Sequence, residues 1–271
     1  MVMRFLRFLG IDLAWGEGSS AKLANRSGVV ALDEHGQVLD AGWTIGLPDT
    51  VTWINAQGAL PVLAFVDAPL VVTNPGGQRE CETQVGKRFG RHWVSANTTN
   101  LASPRKAGVH LRERLMSAGW RYDDGLAGPP SGGRAVSECY PYATLVGARQ
   151  FAFRPRPPYK RKPRHLTMTQ FWPQRLQAWE EIVERLERLA TGDPPLDLSS
   201  HPATDALRTT PVPGKAQAYK KAEDLLDAVL CAWTAALWHR HPEECAVFGP
   251  SSRPPDGEPV ATIIAPVSAE A

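Results

Sequence analysis

Phe8-Leu-Gly-Ile-Asp12-Leu-Ala-Trp-Gly16 is the stretch of sequence around which the chain is organised. It is an apolar run of about strand length, with one acid in its middle and a glycine at its end. Burying a carboxylate in such a run costs free energy unless a metal, a partner charge or a ligand compensates for the lost water. The stretch therefore predicts a buried strand whose acid, Asp12, belongs to a site.

Acids recur in similar positions further along the chain. Asp67 ends an apolar run, and Glu138 ends a second short stretch of strand character. Asp224 and Asp227 lie at the start of a long apolar segment, spaced so that they share one face of a helix. Acids are also favoured in a first helical turn, which is a separate explanation for Asp224. We predict that these acids converge on one site for a divalent metal, since carboxylate oxygens are the ligands that magnesium prefers.

Length and composition are those of a globular protein, with 271 residues, 43% hydrophobic and 21% charged. The net charge is +2, so any attraction to nucleic acid must come from local clusters of charge. The four cysteines are far apart and form no C-x-x-C pair, which favours reduced thiols in a cytoplasmic protein. The longest apolar run, 225–238, is shorter than a membrane span and contains Asp227, so we expect a buried helix and no membrane partner.

The hydrophobic pattern predicts an α/β fold. Strands are expected over 7–15, 28–32, 38–45, 61–67 and 134–139, with a late edge strand over 260–264. Helices are expected over 48–57, 107–118, 173–189 and 216–240, with another beginning at Pro141. The stretches 73–105 and 192–214 are polar and rich in turn residues, and we expect loops there. We predict a single domain over 1–271, with insertions at about 70–133 and 152–214.

A basic segment is the second signal for function. Residues 154–164 hold six basic side chains and no acid, namely Arg154, Arg156, Lys160, Arg161, Lys162 and Arg164. Interleaved aromatic residues, Phe151, Phe153 and Tyr159, would suit base stacking beside phosphate contacts. A solvated loop explains the same charges equally well. Arg88 and Arg91 belong to a second, weaker basic cluster that we also predict to contact nucleic acid.

Other chemistries have little support in the sequence. Gly16-Glu-Gly-Ser-Ser-Ala21 matches a dinucleotide-binding pattern, but the next strand follows too soon to leave room for a crossover helix. The chain contains no P-loop, no G-x-S-x-G and no H-E-x-x-H. His201 is better explained as a loop histidine than as a base, and Cys139 as a small buried residue than as a nucleophile.

Four short motifs in order resemble those of domain-of-unknown-function family 429, described as predicted nucleases of the RNase H fold. The motifs are Gly10-Ile-Asp-Leu-Ala-Trp15, Val66-Asp-Ala-Pro69, Glu138-Cys-Tyr-Pro141 and Asp224-Leu-Leu-Asp227 with the apolar residues that follow it. The resemblance implies an RNase H-like core, a five-stranded mixed sheet of order 3-2-1-4-5 flanked by helices. The acid pattern also resembles that of RuvC-type Holliday-junction resolvases. It implies that Asp12, Asp67, Asp224 and Asp227 are metal ligands, whereas Glu138 has no clear counterpart there.

Residues and resemblance together predict a nuclease that depends on Mg²⁺ or Mn²⁺. Two ions would be held by the four aspartates, with Glu138 as a further catalytic residue. One alternative is an ATP-binding phosphotransferase of the actin and sugar-kinase fold, against which we find no second phosphate-binding turn. Another is a nucleic-acid-binding module without catalysis, which the full set of acids disfavours. The expected partner is DNA or RNA, and a homodimer is left open.

Overall fold

The stretch around Asp12 forms a central strand of a six-stranded sheet in the computed structural model, which describes residues 5–16, 24–58, 61–255 and 257–268. The strands are β1 Arg7–Asp12, β2 Arg26–Asp33, β3 Val38–Ile45, β4 Val62–Val66, β5 Arg121–Tyr122 and β6 Arg134–Glu138. Their order is β3-β2-β1-β4-β6-β5. β1, β2 and β3 pair antiparallel, whereas β4 pairs parallel with β1 and with β6. The mixed sheet and the order of the five predicted strands are confirmed.

The prediction of five strands is wrong by one short edge strand. β5 is only two residues long and pairs parallel with β6. Two residues cannot show the alternation that identifies a strand in a sequence. The predicted late strand does not form an edge of the main sheet. It corresponds to β8 Ile263–Pro266, which pairs antiparallel with β7 Cys245–Phe248 in a separate two-stranded sheet.

The helices are α1 Gly46–Ala56, α2 Glu80–Phe89, α3 Ala107–Ser117, α4 Pro141–Gly147, α5 Met168–Glu187, α6 Pro202–Thr209 and α7 Ala216–Arg240. The five predicted helices are confirmed as α1, α3, α4, α5 and α7. Loops were wrongly predicted where α2 and α6 lie. Helix α6 buries only Thr204 and Leu207 among the described residues, so its apolar stripe is too sparse to recognise. Helix α2 buries Cys81, Val85 and Phe89 at helical spacing, but the polar and turn-forming residues around them favoured a loop. In the described part of the chain, no helix is long and apolar enough to cross a membrane.

The alternation of side chains between the two faces of the sheet decides which residues of β1 face α7. Leu9 and Ile11 lie in the apolar cluster that includes α1 and α3, whereas Phe8 lies in the cluster that includes α7. Successive strand side chains point to opposite faces, so the even-numbered positions of β1 face α7. Asp12 therefore ends β1 on the face that α7 covers.

Helix α7 lies against the backbone of β1 and β2. A Cβ added at Gly10 would lie 1.9 Å from the carbonyl oxygen of Ala228, and one added at Gly28 would lie 2.0 Å from that of Asp224. Glycine is needed at both places because there is no room for a side chain between strand and helix. This close approach holds the acids of α7 over the carboxyl end of β1.

We expect Gly10→Ala to destabilise the fold by about 1–3 kcal/mol or more, because the new methyl group must push α7 away from the sheet. Urea denaturation of the two proteins measures the difference. Gly42→Ala in β3 is the matched control, since no described atom lies within 4 Å of a Cβ added there. Equal stability of the Gly10 and Gly42 variants would contradict the close approach of α7.

Most of the dinucleotide-binding pattern, Gly16–Ala21, lies outside the described residues. β1 and β2 are nevertheless antiparallel neighbours, whereas a dinucleotide-binding unit joins parallel strands through a crossover helix. The pairing is consistent with the sequence-based exclusion of that fold.

Candidate metal centre

Asp12, Asp67 and Asp227 come together at one edge of the sheet. Asp12 ends β1 and Asp67 directly follows β4, and these strands are parallel neighbours whose carboxyl ends coincide. Asp227 reaches the same place from α7. One carboxylate oxygen from each residue lies within 4.8 Å of the other two. Three oxygens at this spacing could hold a hard divalent cation.

Asp224, the fourth predicted ligand, lies beside this cluster. It does not belong to the group of three acids whose oxygens lie within 4.8 Å of one another. Its close ionic partner is Lys220, whose Nζ is 2.5 Å from Asp224 Oδ1. The explanation of Asp224 as a first-turn acid is wrong, because α7 begins at Ala216 and Asp224 lies well inside it. A structural role as a helix-capping charge is therefore excluded.

Asp227 is held on both of its oxygens by neighbours from the basic segment. The hydroxyl of Tyr159 donates a hydrogen bond to Oδ1 at 2.6 Å. Lys160 Nζ lies 2.5 Å from Oδ2 and 4.0 Å from Asp67 Oδ2. The contact with Oδ2 is an ion pair without hydrogen-bond geometry, so this buried oxygen has no hydrogen-bond partner among the described residues. Lys160 thus places its ammonium group between two acids of the cluster.

Burial of several like charges raises the pKa values of the acids. Burial raises the pKa of Asp12 well above its ordinary value, and the negative charge of Asp227 raises it further. Burial raises the pKa of Asp67 to about 7, although Lys160 opposes the shift. Burial also raises the pKa of Asp224, against the charge of Lys220. Near neutral pH the cluster therefore retains protons that a bound cation would displace.

The stability of the metal-free protein should rise as the pH falls from 8 to 6. The pKa of Asp67 is about 7 in the folded protein and about 4 in the unfolded chain, so its ionisation opposes folding fully above pH 7 and not at all below pH 4. Between pH 8 and 6 we expect a gain of about 1 kcal/mol. Urea denaturation with a chelator measures it. Asp67→Asn should show a smaller gain, and a parent protein with constant stability would contradict the shift.

Glu138 does not join the cluster. Its partner position on β4 is Val66, one residue before Asp67, so Glu138 and Asp67 point to opposite faces of the sheet. The Glu138 carboxylate receives two hydrogen bonds from Arg79, at 2.6 and 2.8 Å, and one from the Leu70 amide at 2.9 Å. Arg79 is buried as well and also donates to Glu82 at 2.8 Å. The structure places Glu138 in a buried ion pair beside the acid cluster, and its catalytic role stays a prediction.

Glu138→Gln should destabilise the fold by about 1–3 kcal/mol, because Arg79 would lose one of its two buried acid partners and keep only Glu82. Guanidinium denaturation measures the loss. The exposed Glu80, on the same helix as Glu82, supplies the control Glu80→Gln, with an expected effect within about 0.5 kcal/mol. A Glu138 variant as stable as the control would mean that the pair with Arg79 contributes little.

The basic residues predicted to contact nucleic acid are divided by the structure into two groups. Lys160, Arg156 and Arg161 line the cleft above the acids, and the Arg156 guanidinium lies 4.4 Å from the ring centre of Tyr142. The others lie elsewhere: Arg154 and Lys162 donate to backbone carbonyls, Arg88 donates to the Ser268 carbonyl, Arg91 donates to His92, and Arg164 is exposed.

The aromatic residues of the basic segment do not offer faces for base stacking. Phe151, Phe153 and Tyr159 are all buried in the core. The Tyr159 ring packs edge-on against Tyr142, with ring centres 5.2 Å apart. The stacking prediction is wrong for these three side chains, because they anchor the segment to the protein instead of facing solvent.

The acids line a cleft of about 840 Å³. Asp12, Asp67 and Asp224 contribute to its surface, while Asp227 lies beneath it, with its side chain 0% exposed. Among the described residues, six cationic side chains besides the buried Arg79 line the same cleft, namely Arg26, Arg156, Lys160, Arg161, Lys220 and Lys221. An acidic floor beneath cationic walls suits a metal ion together with an anionic substrate.

Two contacts of the site, those of Lys220 and Tyr159 with the acids, were not predicted from the sequence. Lys220, whose Nζ lies 2.9 Å from Glu223 Oε1 and 2.5 Å from Asp224 Oδ1, could have been found from the three- and four-residue spacing on one helix. The contact of Tyr159 could not have been found, because its partner Asp227 is 68 residues away.

His201 caps α6, with Nδ1 accepting a hydrogen bond from the Ala203 amide at 3.1 Å. All four cysteines are free thiols and Cys139 is buried, as expected.

Fold and site define an α/β protein in which two parallel strand ends and the last long helix bring carboxylates together beneath a cationic cleft. The chain belongs to the family described as Protein of unknown function (DUF429), whose model matches residues 10–253. The matched range contains every acid of the cluster and the basic segment. No curated protein and no solved structure matches the chain significantly.

Proposed function

We propose that this protein is a nuclease that hydrolyses phosphodiester bonds with the help of Mg²⁺ or Mn²⁺. The observation that carries the proposal is the group of three carboxylates, each with an oxygen within 4.8 Å of the others. Asp12 and Asp67 line the floor of a cleft with cationic walls, and Asp227 lies directly beneath it. Phosphoryl transfer depends mainly on positioning and on neutralising negative charge, and this arrangement supplies groups for both.

We assign the sheet to the RNase H-like fold as part of this proposal. The support is the order of β3, β2, β1, β4 and β6, with the first three antiparallel and the next two parallel to β1. Further support comes from the acids at the ends of β1 and β4 and on the final long helix. A fold does not by itself determine a function, so the proposal depends on the site.

The acids of the cluster fit a hard divalent cation. All three offer carboxylate oxygens, and Asp227 Oδ2 is buried without a hydrogen-bond partner among the described residues. A bound Mg²⁺ or Mn²⁺ would polarise a phosphoryl oxygen and lower the pKa of a coordinated water. Asp12, Asp67 and Asp227 would hold it, and the Tyr159 hydroxyl keeps the Asp227 carboxylate oriented. Arg156 and Arg161 are placed to neutralise the phosphates of a strand lying in the cleft.

The second candidate is an ATP-binding phosphotransferase or hydrolase acting on a small phosphate compound. It is favoured by the cleft volume of about 840 Å³, which lies within the range of about 300–1,000 Å³ usual for small-molecule sites. Cationic walls would serve the phosphates of ATP as well as those of a strand. A third possible function, binding of nucleic acid without cleavage, would need only the cationic walls of the cleft and not the acids.

One experiment separates these functions. The purified protein is incubated with end-labelled single- and double-stranded DNA and RNA and, separately, with ATP, in millimolar MnCl₂ or in EDTA. We expect oligonucleotide cleavage that needs the metal and is lost in Asp12→Asn. Consumption of ATP with intact oligonucleotides would replace the proposal with the second candidate. Binding that shifts the oligonucleotides on a gel, with no cleavage in any metal tested, would leave only the binding module.

A further inference from the structure

Lys160 is built into the acid cluster by its own segment of chain. Its Nζ lies 2.5 Å from Asp227 Oδ2 and 4.0 Å from Asp67 Oδ2, and its side chain is only 18% exposed. The carbonyl of Lys160 accepts a hydrogen bond from Arg175, and the carbonyl of the preceding Tyr159 accepts one from Tyr219. Backbone anchors on both residues fix the place of the ammonium group.

The charges of the cluster are balanced by one divalent ion together with Lys160. Asp12, Asp67 and Asp227 carry three negative charges when ionised, while Asp224 and Glu223 share Lys220 as a separate partner. One divalent ion and one ammonium group supply three positive charges. A two-ion site requires a second ion about 3.5–4 Å from the first, held by shared carboxylates. The Lys160 ammonium group already lies between the carboxylates of Asp67 and Asp227, where it would repel a second ion.

Asp227 can serve a metal and Lys160 together. A carboxylate offers about four lone-pair positions on its two oxygens. Tyr159 uses one on Oδ1 and Lys160 lies against Oδ2, so positions are left on the same carboxylate for a divalent ion. The ion therefore does not have to displace Lys160 in order to reach Asp227.

We propose that the cluster binds a single divalent ion and that Lys160 is the second cation of the site, a catalytic residue that contacts the scissile phosphate. This inference rests on the proposed nuclease function. In the hydrolysis, the water oxygen bonds to phosphorus, the leaving oxygen departs with the electron pair of the broken bond, and the proton lost by the water balances the charge on that oxygen. The Lys160 ammonium stabilises the negative charge that builds up on the phosphate oxygens during this exchange.

Counting bound Mn²⁺ tests the inference without an activity assay. Isothermal titration calorimetry and the electron paramagnetic resonance signal of free Mn²⁺ both give the stoichiometry at neutral pH. We expect one ion in the parent protein and two in Lys160→Met, with the first ion bound at least about tenfold more tightly in the variant because a repelling charge is gone. Lys160→Gln is the second neutral variant in case the methionine variant does not fold. Lys160→Arg, which keeps the charge, should bind one ion.

Lys221→Met is the matched control for general loss of positive charge. Lys221 lines the same cleft, but its Nζ lies 3.9 Å from the ring centre of Trp43. This variant should bind one ion. Two ions in the parent protein, or one ion in the folded neutral variants of Lys160, would overturn the role of Lys160 and leave the nuclease proposal in place. No bound Mn²⁺ in any of the proteins would overturn the metal site and, with it, both proposals.

Discussion

Asp12→Asn is expected to abolish metal-dependent cleavage and to stabilise the protein when no metal is present. The loss of activity should be at least about a thousandfold, since charge stabilisation by a bound metal contributes several kcal/mol to such reactions. The gain in stability follows from the raised pKa of Asp12, because burial and the charge of Asp227 both oppose its ionisation. Each kcal/mol of repulsion removed should raise the melting temperature by about 2–4 °C.

Two melting curves in EDTA and two cleavage assays in MnCl₂ check this expectation. Glu113→Gln is the control, because Glu113 is exposed on α3 and remote in sequence from every acid of the cluster. It should leave both cleavage and melting temperature close to the parent values. An Asp12 variant that melts lower and still cleaves would show Asp12 to be a structural residue.

Asp227→Asn should have the opposite effect on stability, although Asp227 belongs to the same cluster. It removes the carboxylate that lies 2.5 Å from Lys160 Nζ and leaves the ammonium group largely buried without its closest partner. Breaking a buried ion pair on one side costs about 3–5 kcal/mol, and we expect the lower end because the Lys160 side chain is 18% exposed. Cleavage should be lost as well.

The double variant Asp227→Asn with Lys160→Met is the decisive comparison. Removing both partners eliminates the uncompensated charge, so the double variant should recover much of the stability lost in Asp227→Asn. Urea denaturation of the parent, the two single variants and the double variant gives the coupling energy. A coupling energy near zero, or an Asp227→Asn variant as stable as the parent, would mean that the ion pair with Lys160 has no part in stability.

From the sequence alone, Asp227→Asn would be expected to stabilise the metal-free protein. It is one acid among apolar neighbours in a long helix, and replacing it would relieve repulsion within a group of carboxylates. Lys160 changes the sign of the effect, but it lies in a basic segment whose charges suggested solvent or phosphate as partners. The spacing of 68 residues between Tyr159 and Asp227 shows how distant the two segments are along the chain.

The sequence by itself determined where the five longer strands and the acids Asp12 and Asp67 lie along the chain, whereas the order of the strands in the sheet came from the family resemblance. Asp12 lies within an apolar run and Asp67 ends one, and runs of that kind become buried strands whose pattern is local. Parallel pairing of β1 with β4 then brings the two carboxyl ends together. Helix α6 was missed because it buries too few side chains to leave a periodic signal, whereas α2 buries Cys81, Val85 and Phe89 at helical spacing within a stretch whose polar and turn-forming residues favoured a loop.

Only the tertiary structure decided which charges are paired. Glu138 resembles Asp67 in the sequence, but register places it opposite Val66, on the other face of the sheet, and Arg79 from 59 residues away neutralises it. Lys160 enters the acid cluster because its segment is anchored by buried aromatic side chains, which the pattern of basic residues did not indicate. Hydrophobic pattern is a local property of the chain, whereas an ion pair depends on the approach of distant segments, and that approach is fixed by the packing of the whole core.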